Sequence, residues 1–190
     1  MKEVILSSAL VVVDMQLVFA DPASPWAVPG FDRLIEPIDR LVNAFGQRVA
    51  FTRFLIPDHP SGSWAQYYKR WPLAGDPGVT SLLELVEPWT HASHRRVEKA
   101  RFSKWGPELE DLASESKALT LCGVTTDCCV LATALGAVDA GMTVHVVEDA
   151  CAGTDRGSHE RATAILRNFD PQVVLTSTAE ELSTAHSSVP

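Results

Sequence analysis

A chain of 190 residues that is 46% hydrophobic has enough apolar surface for one domain with a substantial core. Its formal charge of −8 excludes the basic face that a phosphate backbone requires, so no nucleic-acid partner is expected. Four cysteines, two of them adjacent, make neither a disulfide framework nor the paired spacing of a structural zinc site, and they suit a reducing cytoplasm.

Taken in order, the chain opens with MKEVILSSALVVVDMQ, whose apolar run is interrupted by Asp14 with no small-residue cleavage pattern after it. Neither a signal peptide nor a membrane span is expected. Ala9 to Val13 reads as a buried strand, and Asp14 is a carboxylate at its end, costly there unless something uses it. Phe19 to Gly30 is a loop. Phe31 to Phe45 repeats apolar residues at helical spacing with a possible kink at Pro37, and Arg48 to Phe54 is a second strand.

Ile56 to Pro77 is a long irregular segment carrying His59, Trp64, Tyr67, Tyr68 and Trp71. Its aromatic residues favour order, and either a pocket wall or a subunit interface accounts for them. Val79 to Val86 follows as a short helix, His94 to Glu98 as an edge strand delivering Lys99, and Pro107 to Ser114 as a helix.

The most informative stretch runs from Ala118 to Gly141: a buried strand from Ala118 to Cys122, a break at Gly123, a polar turn, then a helix stopped by Gly141. The turn puts Cys128 and Cys129 at a helix N-terminus, where free N–H groups favour a thiolate. Cys128 shares a stripe with Leu131, Leu135 and Val138 and is expected to face the core. Cys129 shares one with Ala132, Thr133 and Gly136, which leaves room for a ligand. Thr143 to Val147, Gly157 to Phe169 and Gln172 to Leu175 complete the pattern as strand, helix and strand.

This alternation predicts an α/β three-layer sandwich, a doubly wound, mostly parallel sheet of about six strands in the order 3-2-1-4-5-6. Residues 1–185 form one domain in this reading and 186–190 a disordered tail. The order makes the first and fourth strands neighbours at the switch point, so Asp14 and Cys129 meet where ligands bind such sheets.

Three segments, VVVDMQ, VEKARFSKW and GVTTDCCV, resemble in order and spacing the signatures of the isochorismatase-like cysteine hydrolases, in particular the amidohydrolase branch similar to N-carbamoylsarcosine amidase and the ureidoacrylate and biuret hydrolases. The resemblance spans nearly the whole chain. It implies a catalytic triad of Asp14, Lys99 and Cys129, a cis peptide between Val124 and Thr125, and an oxyanion hole built from the backbone N–H groups of Thr125 and Cys129. It further implies an enzyme that cleaves non-peptide C–N bonds in a small amide, carbamoyl, ureido or lactam compound through a thioester, with water as co-substrate and a homodimer or homotetramer as its assembly.

Relatives of the nicotinamidase type carry an Asp and two His as a metal motif. Here the aligned segment is Phe54, Leu55, Ile56, then Asp58 and His59; Phe54 and Ile56 cannot ligate a metal and only His59 of the motif survives, so no metal and no cofactor are expected. Phe19, Trp26, Phe54, Trp64, Tyr68, Trp71 and Trp105 are candidate pocket walls, and Arg53, His59, Lys69 and Arg101 candidate anchors for a substrate carboxylate. A second class of function is a redox-sensing or binding module on the same fold, with Cys129 as its reactive thiol.

Overall fold

Only the β-branched and leucine-rich runs of this chain are long enough to be buried on both faces, and they supply the centre of its sheet. The structure, a computed structural model, describes residues 8–71, 73 and 78–186. The strands are β1 (Ala9–Val13), β2 (Val49–Phe54), β3 (Arg95–Lys99), β4 (Ala118–Val124), β5 (Thr143–Ala152) and β6 (Val173–Thr176), all parallel, in the order β3-β2-β1-β4-β5-β6. Every residue of β1 is buried, as is all of β4 after Ala118, which fits two central strands covered by helices on both sides.

Eight helices accompany the strands among the described residues: α1 (Leu17–Ala20), α2 (Ile35–Phe45), α3 (Ser63–Arg70), α4 (Val79–Leu82), α5 (Pro107–Leu112), α6 (Leu131–Asp139), α7 (Arg156–Leu166) and α8 (Thr178–His186). The crossover through α2 runs from β1 to β2, and that through α6 from β4 to β5. These connections leave the switch point in opposite directions, so right-handedness puts the two helices on opposite faces. Pro37 sits in the first turn of α2, where its missing N–H costs no hydrogen bond, so the helix needs no kink there. A 3₁₀ turn, Phe31–Leu34, leads into it.

The short α1 is additional to the sequence reading and α4 ends at Leu82 rather than Val86, and three further elements differ from it. The long 56–77 segment holds the two-turn helix α3, whose polar and aromatic composition hides its period. Strand β5 runs five residues past Val147, because Val147 to Ala150 bulge opposite Cys122 and bring Glu148 and Asp149 into the strand. Helix α8 was not expected. Its first turn is capped by Asp149, whose Oδ1 accepts from the N–H and hydroxyl of Thr178 at 2.7 and 2.9 Å. His186 closes that helix, and the rest of the expected tail, 187–190, lies outside the described residues.

At the switch point β1 and β4 lie in direct register, with Val13 opposite Gly123. Gly123 has φ +108°, and a Cβ there would stand 2.2 Å from the Val13 carbonyl oxygen. Only glycine lets the two strands finish side by side. Gly123→Ala is therefore expected to cost about 3 kcal/mol or more in urea unfolding. A variant as stable as the parent would show that the strands close by another route.

Candidate active site

Asp14 follows the last residue of β1 with φ +49°, a left-handed conformation that aspartate tolerates better than most residues. Thr52, on the adjacent strand β2, secures it twice. The Asp14 N–H donates to Thr52 Oγ1 at 3.1 Å, and the Thr52 hydroxyl donates to Asp14 Oδ1 at 2.6 Å. Both side chains are fully buried. Two residues on, the buried Gln16 amide donates to the carbonyls of Phe54 and Leu83 at 3.1 and 2.6 Å and accepts from the Phe54 N–H at 2.8 Å. The turn that aims the carboxylate is thus tied to β2 and to the segment before Leu85.

The cation facing Asp14 is Lys104, with Nζ 3.0 Å from Oδ2 and both side chains 0% exposed. Oδ2 receives no well-aligned hydrogen bond, so this contact is mainly Coulombic. The same ammonium donates to the Arg101 carbonyl at 2.8 Å and lies 4.5 Å from the centre of the Phe54 ring. Its backbone N–H donates to the buried Thr133 hydroxyl on α6 at 2.8 Å. Gly136, one turn along, admits the strap: a Cβ there would meet Ser103 Oγ and Trp105 Cβ, each at 3.1 Å.

Lys99, expected beside Asp14, is elsewhere. It ends β3, two strands from β1, a separation of roughly 10 Å. Its ammonium holds Glu108 at 2.7 and 2.8 Å, and this hydrogen-bonded pairing keeps the Glu108 carboxyl below its ordinary range. Between Lys99 and Lys104 the chain leaves the sheet edge and crosses back over Phe54 to α6. The lysine at the end of that strap, not the one at its start, reaches the carboxylate.

Cys129 lies in a single wide turn, Thr126–Val130, that joins β4 to α6. Its closing bond runs from the Val130 N–H to the Thr125 carbonyl at 3.1 Å, one residue longer than an α-turn. The peptide bond between Val124 and Thr125 is cis. The stripe argument for the two cysteines is reversed: Cys129 is 4% exposed, whereas Cys128 is half-buried. The small face of α6 (Thr133, Ala134 and Ala137) packs inward, while Leu131 and Leu135 are only partly covered. Side-chain size is a poor guide on this helix, where Val138 is buried and Ala132 and Gly136 are only partly so.

The thiol is also not the ready thiolate that a helix N-terminus suggests. Burial pushes Cys129 well above the ordinary thiol range, the charge of Asp14 adds to that, and Lys104 opposes it. Carboxylate, ammonium and thiol therefore feel one another's charge in a space nearly closed to water.

Around them stands an aromatic group. Phe54 contacts Trp26, Trp64 and Phe102 at centroid separations of 5.6, 6.1 and 6.2 Å, and Phe19 stacks on Trp26 at 6.0 Å. Tyr67, which the sequence reading did not select as a wall, touches Trp26, Trp64, Tyr68 and Phe102, and its phenol is raised first by burial and then by the nearby Cys128 and Cys129. Burial likewise lifts Tyr68 to about 12. Trp64, Tyr67 and Tyr68 of the 56–77 segment thus pack within the chain, over the site, whereas Trp71 is exposed.

The proposed carboxylate anchors fare differently. Arg53 is spent on Glu84 and Glu98, each at 3.0 Å. Arg101 donates to the Ser103 and Trp105 carbonyls and braces the strap. His59 and Lys69 are exposed, and Trp105 lies against Gly136 rather than in the aromatic group. Among the described residues, no three His, Cys, Asp or Glu side chains are grouped to hold a metal ion.

Comparison with known proteins fits this geometry. The Isochorismatase domain profile matches residues 8–181. The chain belongs to the isochorismatase family. Among curated relatives, isochorismatase domain-containing protein 2 of Xenopus laevis is 38% identical over 76 residues, covering 38% of this chain and 36% of that protein. The Bos taurus protein of the same name is 44% identical over 57 residues, covering 30% and 27%. The matched stretch thus spans about a third of these relatives' length or less. Among solved structures, a cysteine hydrolase from Pseudomonas syringae pv. phaseolicola 1448A superposes with a TM-score of 0.78 at 22% identity, covering 97% of this chain and 94% of that one. The pyrazinamidase of Pyrococcus horikoshii, solved in complex with zinc, gives 0.68 at 26% identity and covers 90% and 99%. The isochorismatase-type hydrolase fold is therefore shared over nearly the whole chain.

The electrostatics give a test by alkylation. In a Cys128→Ser background, the iodoacetamide rate at Cys129 followed by peptide mass spectrometry is expected to keep rising beyond pH 9. Adding Asp14→Asn removes the charge that disfavours the thiolate and should shift that rise to lower pH. A wild-type plateau below pH 8 would contradict the arrangement.

Proposed function

We propose that the protein is a cysteine-dependent amidohydrolase in which Cys129 is the nucleophile, Asp14 the proton carrier and Lys104 the stabilising cation. The observation that carries this reading is the fully buried Asp14–Lys104 pair at 3.0 Å, close enough to Cys129 to alter its ionisation from both sides. A fully buried ion pair is a weak device for stability alone. Beside a thiol it supplies both a base and a compensating charge.

The chemistry follows from the residues. The thiol proton moves to the Asp14 carboxylate as sulfur attacks the substrate carbonyl and a C–S bond forms. Lys104 offsets the negative charge that passes between sulfur, carboxylate and oxyanion. The backbone N–H groups of Thr125 and Cys129 are the proposed oxyanion donors, each worth about 3 kcal/mol in comparable sites. The proton on Asp14 goes to the departing nitrogen as the C–N bond breaks. Water then attacks the thioester, its proton passing to Asp14, and the C–S bond breaks to release the acid and restore the thiol.

Because the resting thiol is raised rather than lowered, sulfur becomes nucleophilic only as its proton is removed. This argues against a redox-sensing role, which calls for a standing thiolate. The neighbouring pyrazinamidase and the Acinetobacter baumanii nicotinamidase pyrazinamidase, 26% identical to this chain, support an amide-type substrate. With Phe54 and Ile56 in the aligned segment, no metal takes part in the proposal. Cys129 is 4% exposed, so the aromatic side chains over it must yield for a substrate to enter.

Ammonia release from a panel of small amides, ureas and lactams tests the assignment. Cys129→Ala should abolish turnover, Cys128→Ala should retain it within about threefold, Lys104→Met should lose about 100-fold or more, and Lys99→Met should lose little. The reverse ranking of the lysines would return that role to Lys99. Full activity in Cys129→Ala would remove the mechanism altogether.

A further inference from the structure

The turn that carries Cys129 is held on its outer side by a part of the chain that no step above uses. Thr126, fully buried, faces His159 on α7, with Oγ1 2.9 Å from Nδ1. The next residue, Asp127, accepts from the Thr154 N–H at 2.9 Å through Oδ1 and from the Thr154 hydroxyl at 2.8 Å through Oδ2. Two consecutive residues of the turn are thus fastened, one to α7 and one to the connection between β5 and α7. Gly153 makes this approach possible. A Cβ there would stand 2.7 Å from the His159 backbone nitrogen and 3.0 Å from Asp127 Oδ1. The start of α7 is itself fixed, since Asp155 accepts from the Ser158 N–H and hydroxyl, each at 2.8 Å.

We propose that His159 is a positioning residue for the nucleophile, acting through Thr126 to hold the 126–130 turn in the shape that presents Cys129 to Asp14. The turn needs such support. It is one residue wider than an α-turn, and it begins where the β4 ladder ends, with Val124 opposite Ala152 as the last paired residues. Thr126 and Cys129 are three residues apart in it, so a shift of the Thr126 side chain moves the backbone that carries the sulfur. Misplacing a reacting atom by about 1 Å costs on the order of 100-fold in rate. The ring nitrogen in use is Nδ1, whose place an asparagine amide can take and a glutamine amide cannot.

This inference rests on the amidohydrolase reading only for its kinetic readout. In the Cys128→Ser protein, His159→Ala, His159→Asn, His159→Gln and Thr126→Val are compared for thermal midpoint, kcat and KM on the best amide of the panel, and Cys129 alkylation at pH 8. His159→Ala and Thr126→Val are expected to lower kcat tenfold to 100-fold with KM within threefold, and to raise the alkylation rate at least tenfold as the buried thiol loosens. His159→Asn should restore both quantities to within about fivefold of the parent, whereas His159→Gln should resemble His159→Ala. The double variant His159→Ala with Thr126→Val should be no worse than either single variant. Parent-like kcat and alkylation in His159→Ala would overturn the proposal, as would an asparagine variant as impaired as alanine. If the panel contains no substrate, the alkylation series alone decides, so failure of the reaction class and failure of the clamp remain distinct.

Discussion

Everything at this site depends on one buried pair of opposite charges. Taking a carboxylate and an ammonium out of water is costly, and their attraction offsets that cost only when both are held in place and further bonded. Asp14 is held by Thr52 and by its own left-handed backbone, and Lys104 by Thr133, the Arg101 carbonyl and the face of Phe54. Thr52 and Phe54 lie on β2, Thr133 on α6 and Arg101 in the strap, so the pair requires β1, β2, the 100–106 strap and α6 to be assembled together. The sulfur of Cys129 then enters an environment whose charge is already set.

The same arrangement explains why the thiol stays protonated at rest. A nearly dry site raises Cys129, and the nearby carboxylate raises it further than the lysine lowers it. A standing thiolate would be more reactive towards oxidants and alkylating agents. A thiol that surrenders its proton to a carboxylate during attack keeps that reactivity for a bound carbonyl. The aromatic group over the site adds to this by excluding water, which strengthens every charge interaction beneath it.

Much of the fold was legible in the sequence. The apolar runs at Ala9–Val13 and Ala118–Cys122 and the breaks at Asp14 and Gly123 were enough to place two central strands and the switch point between them. The meeting of Asp14 with the turn that carries Cys129 followed from that topology. The lysine did not, because its position depends on how a seven-residue strap folds back over Phe54, and no periodicity describes such a path. Side-chain size does not mark the orientation of the cysteine pair, because α6 buries Thr133, Ala134 and Ala137 while Leu131 and Leu135 stay partly covered. Helix α8 and the β5 bulge were missed for a related reason: polar residues such as Asp149 and Glu181 sit where side-chain hydrogen bonds rather than apolar contacts define the element.

A thermodynamic double-mutant cycle tests the central claim most directly, because it reads the pair itself and needs no substrate. Urea unfolding of Asp14→Asn, Lys104→Met and their combination should show each single change costing about 3–5 kcal/mol and the double change well below the sum. The matching cycle with Lys99→Met should be additive within about 0.5 kcal/mol. Strong coupling of Asp14 to Lys99, with none to Lys104, would contradict the account.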